Sequence, residues 1–271
     1  DHNIATIYFG GGIPSLLNPI ELQRFIDHAS KLFNTSAVSE ITAEMNPDDI
    51  SAAYVAQLRQ SDINRISLGV QSFDDGALRL MNRRHTGAEA ADAVKRLQDA
   101  GYTNITTDII FGIEGFGSER LERDINQMLT LGVQHISAYH LTIEPSTRFG
   151  RMVERGEFRA VAEEQSEKEF ALLHKRLTEA GYEHYEVSNY ALPGYRSRHN
   201  SSYWVGTEYL GIGAGAHSFN GDVRRWCQQP LPQYITGRKY ESETLSSTDR
   251  YNEYLMTSLR CAEGVDLQRI A

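Results

Sequence analysis

An apolar run passes directly into three glycines and a proline in Ile4-Ala5-Thr6-Ile7-Tyr8-Phe9-Gly10-Gly11-Gly12-Ile13-Pro14-Ser15. The run from Ile4 to Phe9 is typical of a buried strand, and a helical pattern begins a few residues after Ser15. Glycine has no Cβ, so a ligand can approach the main chain closely, and Pro14 favours extended geometry at Ile13. The sequence therefore predicts a strand and a tight turn at one end of a sheet, which either holds a ligand or only connects the strand to a helix.

Strand and helix patterns alternate through the first half of the chain. Patterns typical of strands occur at 4–9, 40–45, 65–70, 104–111 and 135–141, with a later one at 182–190. Helical patterns occur at 19–33, 48–60, 74–81, 87–100, 118–131 and 163–180. Three of the helices end in a glycine that suits a left-handed cap, namely Gly101, Gly132 and Gly181. This alternation predicts a parallel sheet covered by helices on its faces.

Polar residues collect where the predicted strands end, as at Glu44, Gln71 and Asp108. In a barrel these strand ends converge on one mouth, where active sites lie, whereas in an open sheet they would spread along a line. We therefore predict an α/β fold with a partial (β/α) barrel over residues 1–161. The sequence texture changes near residue 162, so we expect an additional C-terminal α+β region over residues 162–271.

The composition narrows the class of partner. The chain has 271 residues, of which 40% are hydrophobic and 23% charged, as in an ordinary globular protein. Its net charge of −9 and the absence of a basic run argue against a nucleic-acid partner. No apolar stretch is long enough for a transmembrane segment and no signal peptide is visible, so we expect a cytoplasmic protein that binds a small molecule or another protein.

The residues predicted at the mouth carry complementary chemistry. Gly10–Gly12 allow close backbone approach, Glu44 and Asp108 can bind an ammonium group or a ribose diol, and Gln71 can donate and accept. Arg83 offers a planar fork for a carboxylate. A ligand with a nucleoside ribose and an amino-acid end would use all of them, although each residue alone also has a purely structural explanation.

Six segments, in chain order, resemble the radical S-adenosylmethionine (SAM) proteins related to oxygen-independent coproporphyrinogen III oxidase. They are FGGGIPSLL (9–17), EITAEMNP (40–47), NRISLGVQSF (64–73), NRRHT (82–86), TDIIFG (107–112) and HISAY (135–139). The resemblance implies a radical SAM barrel whose SAM contacts are Gly11, Gly12, Ile13, Glu44, Gln71, Arg83, Asp108 and, more weakly, Thr142. In that family pattern Arg83 pairs with the methionyl carboxylate, and Gln71 and Asp108 hold the ribose.

Three further segments resemble the HemW branch of this family, whose members are regarded as heme chaperones with a heme-linked HNxxYW motif. They are YEVSNY (185–190), RHNSSYW (198–204) and GIGAGAHS (211–218). The resemblance implies heme contacts at His199, Asn200, Tyr203 and Trp204, with His199 as a possible iron ligand, and a heme-acceptor protein as a possible partner. The residue types agree, because imidazole is a common axial ligand of heme iron. A hydrogen-bonded structural histidine is the other interpretation of His199.

The sequence also departs from the family pattern. Members carry a CxxxCxxC loop before the glycine-rich strand, which holds three irons of a [4Fe–4S] cluster and leaves the fourth for SAM. Cys227 and Cys261 do not match this loop, so we expect the cluster ligands upstream of residue 1, in a chain whose ends are missing. Ile13 replaces the usual threonine, and GIEGFG (112–117) replaces the family's GLPxQT.

Three functions remain open at this point. The first is a HemW-like heme-binding chaperone on a radical SAM scaffold. The second is an oxygen-independent coproporphyrinogen III oxidase, a radical SAM oxidoreductase of porphyrin biosynthesis that decarboxylates propionates. The third is a barrel that binds a nucleoside or phosphate without radical chemistry. The sequence assigns no catalytic residue and leaves open whether any reaction is turned over.

Overall fold

The computed structural model describes residues 3–270. A seven-stranded sheet has the order β1-β2-β3-β4-β5-β7-β6. Its strands are β1 (Thr6–Phe9), β2 (Glu40–Met45), β3 (Arg65–Gln71), β4 (Ile105–Phe111), β5 (His135–His140), β6 (Glu183–Glu186) and β7 (Asn189–Ala191). The first five pair in parallel, each with its neighbour in sequence. The prediction of five parallel strands and a partial radical SAM barrel is confirmed.

Helices connect the parallel strands and cover the sheet. They are α1 (Pro19–Leu32), α2 (Ala52–Leu58), α3 (Asp75–Leu80), α4 (Gly87–Asp99), α5 (Gly117–Leu131), α6 (Arg148–Glu154) and α7 (Glu163–Glu179). The core between helices and sheet is aliphatic, with Ile66 and Leu68 of β3, Val94 of α4 and Ile125 of α5 fully buried. These strand residues share one face of the sheet, whereas Ser67 and Asp108 on the other face are only partly buried, so the expected cover by helices on both faces is not met.

The predicted helix ends are confirmed where glycine closes a helix. Gly101 follows α4 with φ of 90°, and Gly132 caps α5 with φ of 64°. These left-handed angles cost glycine little and let the chain turn at once into the next strand.

Two predicted elements differ from the structure. The strand expected at 182–190 is divided into β6 and β7, and β7 runs antiparallel to β5. The helix expected at 48–60 begins only at Ala52, because Pro47–Asp49 form a separate 3₁₀ turn and Ser51 accepts from the Tyr54 backbone N–H as the helix cap.

The described chain forms two compact units. The first runs to His184 and includes Ser188–Arg196, and the second comprises Tyr185–Val187 and the residues from Ser197 onward. Helix α7 packs against α5 in the first unit. A domain boundary at residue 162 stays a prediction, and the outer ends of the two predicted domains, residues 1–2 and 271, lie outside the described residues.

The second unit is of the α+β type. Its elements include α8 (Arg198–Trp204), β8 (His217–Phe219), β9 (Val223–Trp226), α9 (Leu231–Thr236), β10 (Glu241–Thr244) and α10 (Ser247–Ser258). The strands form an antiparallel sheet in the order β10-β9-β8. Within residues 3–270, no helix combines the length and apolar character needed to cross a membrane.

Candidate functional site

The glycine-rich turn after β1 is tied to the end of β2. The Gly11 backbone N–H donates to Glu44 Oε2 at 2.9 Å, and the Tyr8 hydroxyl donates to Glu44 Oε1 at 2.6 Å. A Cβ on Gly10 would lie 2.3 Å from the Tyr8 ring, so only glycine lets this ring lie over the turn. Gly11 and Gly12 have φ of 68° and 67°, and a Cβ on either would meet open space. The turn therefore presents bare backbone beside a carboxylate.

Residue Ser15 fixes the far side of the turn. Its side chain donates to Asp49 Oδ2 at 2.6 Å and accepts from the Asn46 backbone N–H at 3.2 Å. Ser15 is buried, whereas Ile13 is 41% exposed. The hydroxyl of Ser15 thus joins the turn to the segment that follows β2, and the side chain of Ile13 faces solvent.

The carboxyl of Asp108 on β4 interacts electrostatically with two other predicted site residues, Glu44 and Arg83. Desolvation by burial is the largest cause that raises its pKa to about 7, and Glu44 raises it further. A hydrogen bond from Ser137 on the adjacent β5 and the charge of Arg83 act in the opposite direction. Near neutral pH this carboxyl can therefore exist in both protonation states.

The guanidinium of Arg83 belongs to the same cluster of charged side chains as Asp108 and Glu44. Arg83 lies in the loop between α3 and α4 and is half-buried. Desolvation lowers its pKa, and Asp108 and Asp48 oppose that shift. The neighbouring Arg84 instead reaches Asp48 at 2.5 Å and has a side chain that is 61% exposed. Arg83, the residue that the sequence pattern indicated, is thus a cation beside these carboxylates, and Arg65 is a second cation that acts on Asp108.

Two predicted SAM contacts are less directly connected. Gln71 ends β3, next to β4, and is buried with a left-handed φ of 67°. Thr142 follows β5 and is exposed, and its hydroxyl lies 3.5 Å from the His140 carbonyl oxygen. Gln71 stands at the carboxyl end of a parallel strand, as predicted, and Thr142 lies two residues beyond the end of β5.

Sequence reasoning missed Tyr8 and Ser137 as members of this cluster. Tyr8 lies two residues before Gly10, and desolvation, Glu44 and Asp108 all raise the pKa of its hydroxyl. An aromatic residue at the strand end was a visible signal for Tyr8. Ser137 had no such signal, since only the strand register places it opposite Asp108.

The residues present do not fit an iron–sulfur cluster. The sequence has only two cysteines, fewer than the three thiolates that such a cluster needs from one loop. Among residues 3–270, no group of three or more histidine, cysteine, aspartate or glutamate side chains is arranged to hold a metal ion. No chemical step is therefore assigned to a cluster within this chain.

In the second unit, helix α8 carries His199 and Tyr203 one turn apart. Ser197 caps the helix by accepting from the Asn200 backbone N–H. His199 Nε2 lies 3.0 Å from the Tyr203 hydroxyl, and the Tyr203 ring meets Tyr209 edge-on at 4.8 Å between centroids. This face presents an imidazole beside accessible aromatic surface, which suits a flat ligand with an iron centre.

Residue Trp204 of the same motif has a different environment. Arg260 lies over its indole ring at 4.7 Å from the centroid, and Arg260 also pairs with buried Glu186 at 3.2 Å. Along a helix, residues 199 and 204 are separated by about 140°. Trp204 therefore packs within the unit, whereas Tyr203, 38% exposed, is the aromatic residue on the His199 face.

A second accessible imidazole belongs to His217 on β8. Its ring stacks on Trp226 of β9 with centroids 6.0 Å apart and an interplanar angle of 19°. Gly211 packs against this strand, since a Cβ there would lie 1.9 Å from the His217 carbonyl oxygen. The glycine-rich segment is therefore held close to the His217 backbone.

Comparisons with known proteins identify the family of this chain. A family model described as Radical SAM superfamily matches residues 1–128. Heme chaperone HemW of Lactococcus lactis is 36% identical over 270 residues, which cover 98% of this chain and 71% of that protein. Heme chaperone HemW of Escherichia coli is 34% identical, with 96% of this chain and 70% of that protein covered.

A solved structure supports the fold. Coproporphyrinogen III oxidase (HemN) from Escherichia coli, a radical SAM enzyme, matches with a TM-score of 0.82 and covers 99% of this chain and 66% of that one. At 21% identity, this match establishes the fold alone. Because the sequence relatives exceed 30% identity over nearly the whole chain, this protein belongs to the HemW family of the radical SAM superfamily.

Proposed function

We propose that this chain is the SAM- and heme-binding part of a heme chaperone that passes heme to an acceptor protein. The observation that carries the proposal is the HNxxYW segment, which places His199 and Tyr203 on one accessible face of α8 in a chain whose relatives are named heme chaperones. The chain spans about 70% of the length of those relatives.

In this proposal, His199 supplies the imidazole and Tyr203 supplies flat surface beside the porphyrin. Asn200 contributes a polar side chain next to them, and Trp204 acts by holding α8 against Arg260. When bound, heme supplies an iron that takes an axial nitrogen ligand. Protonated imidazole cannot ligate, so heme affinity should fall at acidic pH.

A heme titration followed by Soret absorbance tests this assignment on the full-length protein. We expect His199→Ala to weaken heme binding and change the spectrum, and His217→Ala to leave both close to wild type. His217 is the matched control, because it is also an accessible imidazole packed on an aromatic ring in this unit. Loss of binding in His217→Ala alone would show that the motif has been misassigned.

The SAM part of the proposal rests on the first unit. Family membership implies SAM and a [4Fe–4S] cluster as cofactors. Bare backbone at Gly11 and Gly12, with Ile13 after them, suits the methionyl end, and Arg83 suits its carboxylate. Glu44, Gln71 and Asp108 suit the ammonium and ribose groups, with Thr142 at the rim. The two cysteines of this chain do not supply the three thiolates that such a cluster needs.

Oxygen-independent coproporphyrinogen III oxidase is the second candidate, favoured by the similarity of fold to HemN. Turnover of coproporphyrinogen III by the full-length protein would support it, whereas heme binding that depends on His199 without turnover supports the chaperone.

A cytoplasmic location is also part of the proposal, and fractionation of cells that produce the full-length protein tests it.

A further inference from the structure

The backbone at Gln71 is held in an unusual conformation. Its φ of 67° lies in the left-handed region, which a side chain with a Cβ rarely adopts. The pairing of β3 with β4 also shifts register between Leu68 and Gln71, so the strand is irregular where this residue leaves it. Such conformations persist where the surrounding structure enforces them.

Asp124 of α5 binds the two residues that follow Gln71. Its Oδ2 accepts from the Ser72 hydroxyl at 2.7 Å, and its Oδ1 accepts from the Phe73 backbone N–H at 2.8 Å. Arg120, one turn earlier on the helix, donates to Oδ2 at 2.8 Å. Asp124, Ser72 and Arg120 are all essentially inaccessible to solvent, so water cannot easily replace these bonds.

The backbone on the N-terminal side of Gln71 is also held by hydrogen bonds. The Val70 carbonyl oxygen accepts from the Ser72 backbone N–H at 2.8 Å and lies 3.0 Å from Nε2 of buried His85. Helix α4 starts against the same segment, because a Cβ on its first residue, Gly87, would lie 2.1 Å from the Phe73 carbonyl oxygen. Residues 70–73 are therefore fixed between α4 and α5.

We propose that Asp124 is a positioning residue for Gln71: it fixes the Ser72–Phe73 backbone and so keeps the Gln71 side chain at the SAM site. This inference rests on the proposed SAM site. Asp124 lies 53 residues from Gln71 in the sequence and touches no predicted ligand contact directly. Its effect on SAM therefore passes through Gln71.

A double-mutant cycle on SAM affinity tests the proposal in the full-length protein. We expect Asp124→Asn and Gln71→Ala each to weaken SAM binding about tenfold, and the double variant to bind within about twofold of Gln71→Ala. Ser72→Ala removes one of the two Asp124 contacts with the segment, so we expect a smaller loss. Hydrogen exchange should rise at residues 70–74 in Asp124→Asn.

Glu169→Gln is the matched control. Glu169 is also a fully buried carboxylate on a helix, and its Oε2 accepts from the Gly112 backbone N–H at 2.7 Å. We expect Glu169→Gln to lower thermal stability, as Asp124→Asn does. Unlike Asp124→Asn, its effect on SAM affinity should be additive with the effect of Gln71→Ala.

The outcomes separate the two proposals. Additive effects of Asp124→Asn and Gln71→Ala would overturn the positioning role and leave the SAM site intact. Unchanged SAM affinity in Gln71→Ala would overturn the assignment of Gln71 to the SAM site, and the positioning role with it. If Asp124→Asn fails to fold, the Ser72→Ala cycle decides: non-additivity supports the proposal, and additivity overturns it.

Discussion

The backbone N–H of Gly11 donates to Glu44 Oε2 at 2.9 Å, so a direct hydrogen bond joins the glycine-rich turn to the end of the second strand. The other carboxylate oxygen accepts from Tyr8 at 2.6 Å. A carboxylate oxygen has a second lone pair, so Glu44 can still accept from a ligand. The same residue therefore holds the turn in shape and offers charge to the site.

Replacing Glu44 with glutamine tests this double role. The glutamine amide has one acceptor oxygen in place of two and no charge, so it cannot accept from Gly11 and from Tyr8 through two separate oxygens as the carboxylate does. We expect SAM affinity to fall by tenfold or more, since a lost hydrogen bond to a charged group costs about 1.5–3 kcal/mol. Isothermal titration of Glu44→Gln measures the change. Glu21→Gln, at an exposed cap of α1, should bind as wild type does.

The adjacent arginines Arg83 and Arg84 offer a matched pair. Arg83 is half-buried near Asp108, whereas the side chain of Arg84 is 61% exposed and pairs with Asp48. We expect Arg83→Ala to weaken SAM binding by up to a few kcal/mol, through loss of a charged partner for the ligand carboxylate. Arg84→Ala should change affinity less than twofold, because exposed ion pairs contribute little. Equal losses would remove the assignment of Arg83.

Ionisation of Asp108 should make SAM binding depend on pH. Its pKa of about 7 is raised mainly by burial, and the carboxylate form is the better acceptor for ribose hydroxyls. We expect affinity to rise between pH 6 and pH 8 in the wild type, and this dependence to disappear in Asp108→Asn. A pH profile that is identical in the variant would assign the titration to another group.

Ionisation of Asp108 also affects the stability of the fold, and here a rise in pH is unfavourable. A carboxyl whose pKa is higher in the folded than in the unfolded chain stabilises the fold at low pH, and that contribution is lost as pH rises from about 4 to about 7. As the pH rises through this range, we therefore expect the melting temperature of Asp108→Asn to increase relative to that of the wild type. Melting curves at pH 5 and pH 8 measure the difference.

The sequence predicted the repeating part of the fold well. Hydrophobic periodicity and cap glycines such as Gly132 are local signals, so the five parallel strands could be predicted from them. The division of 182–190 into two strands depends on pairing with β5, a nonlocal contact with no local signal. The HNxxYW motif likewise shows residue types, whereas only the structure shows Trp204 under Arg260 and Tyr203 beside His199.

Removing the Tyr203 hydroxyl tests how His199 becomes available to heme. His199 Nε2 lies 3.0 Å from that hydroxyl, so a heme iron bound through Nε2, as proposed, would compete with Tyr203 for this nitrogen. Tyr203→Phe keeps the ring and its edge-on contact with Tyr209 but removes the competitor. A neutral hydrogen bond contributes about 0.5–1.5 kcal/mol, so we expect heme affinity to rise about twofold to tenfold, measured by Soret titration. The Tyr209 hydroxyl bonds to Arg224, so Tyr209→Phe should leave heme affinity unchanged. Weaker binding in Tyr203→Phe would mean that the hydroxyl holds His199 in its ligating orientation, and competition would be excluded.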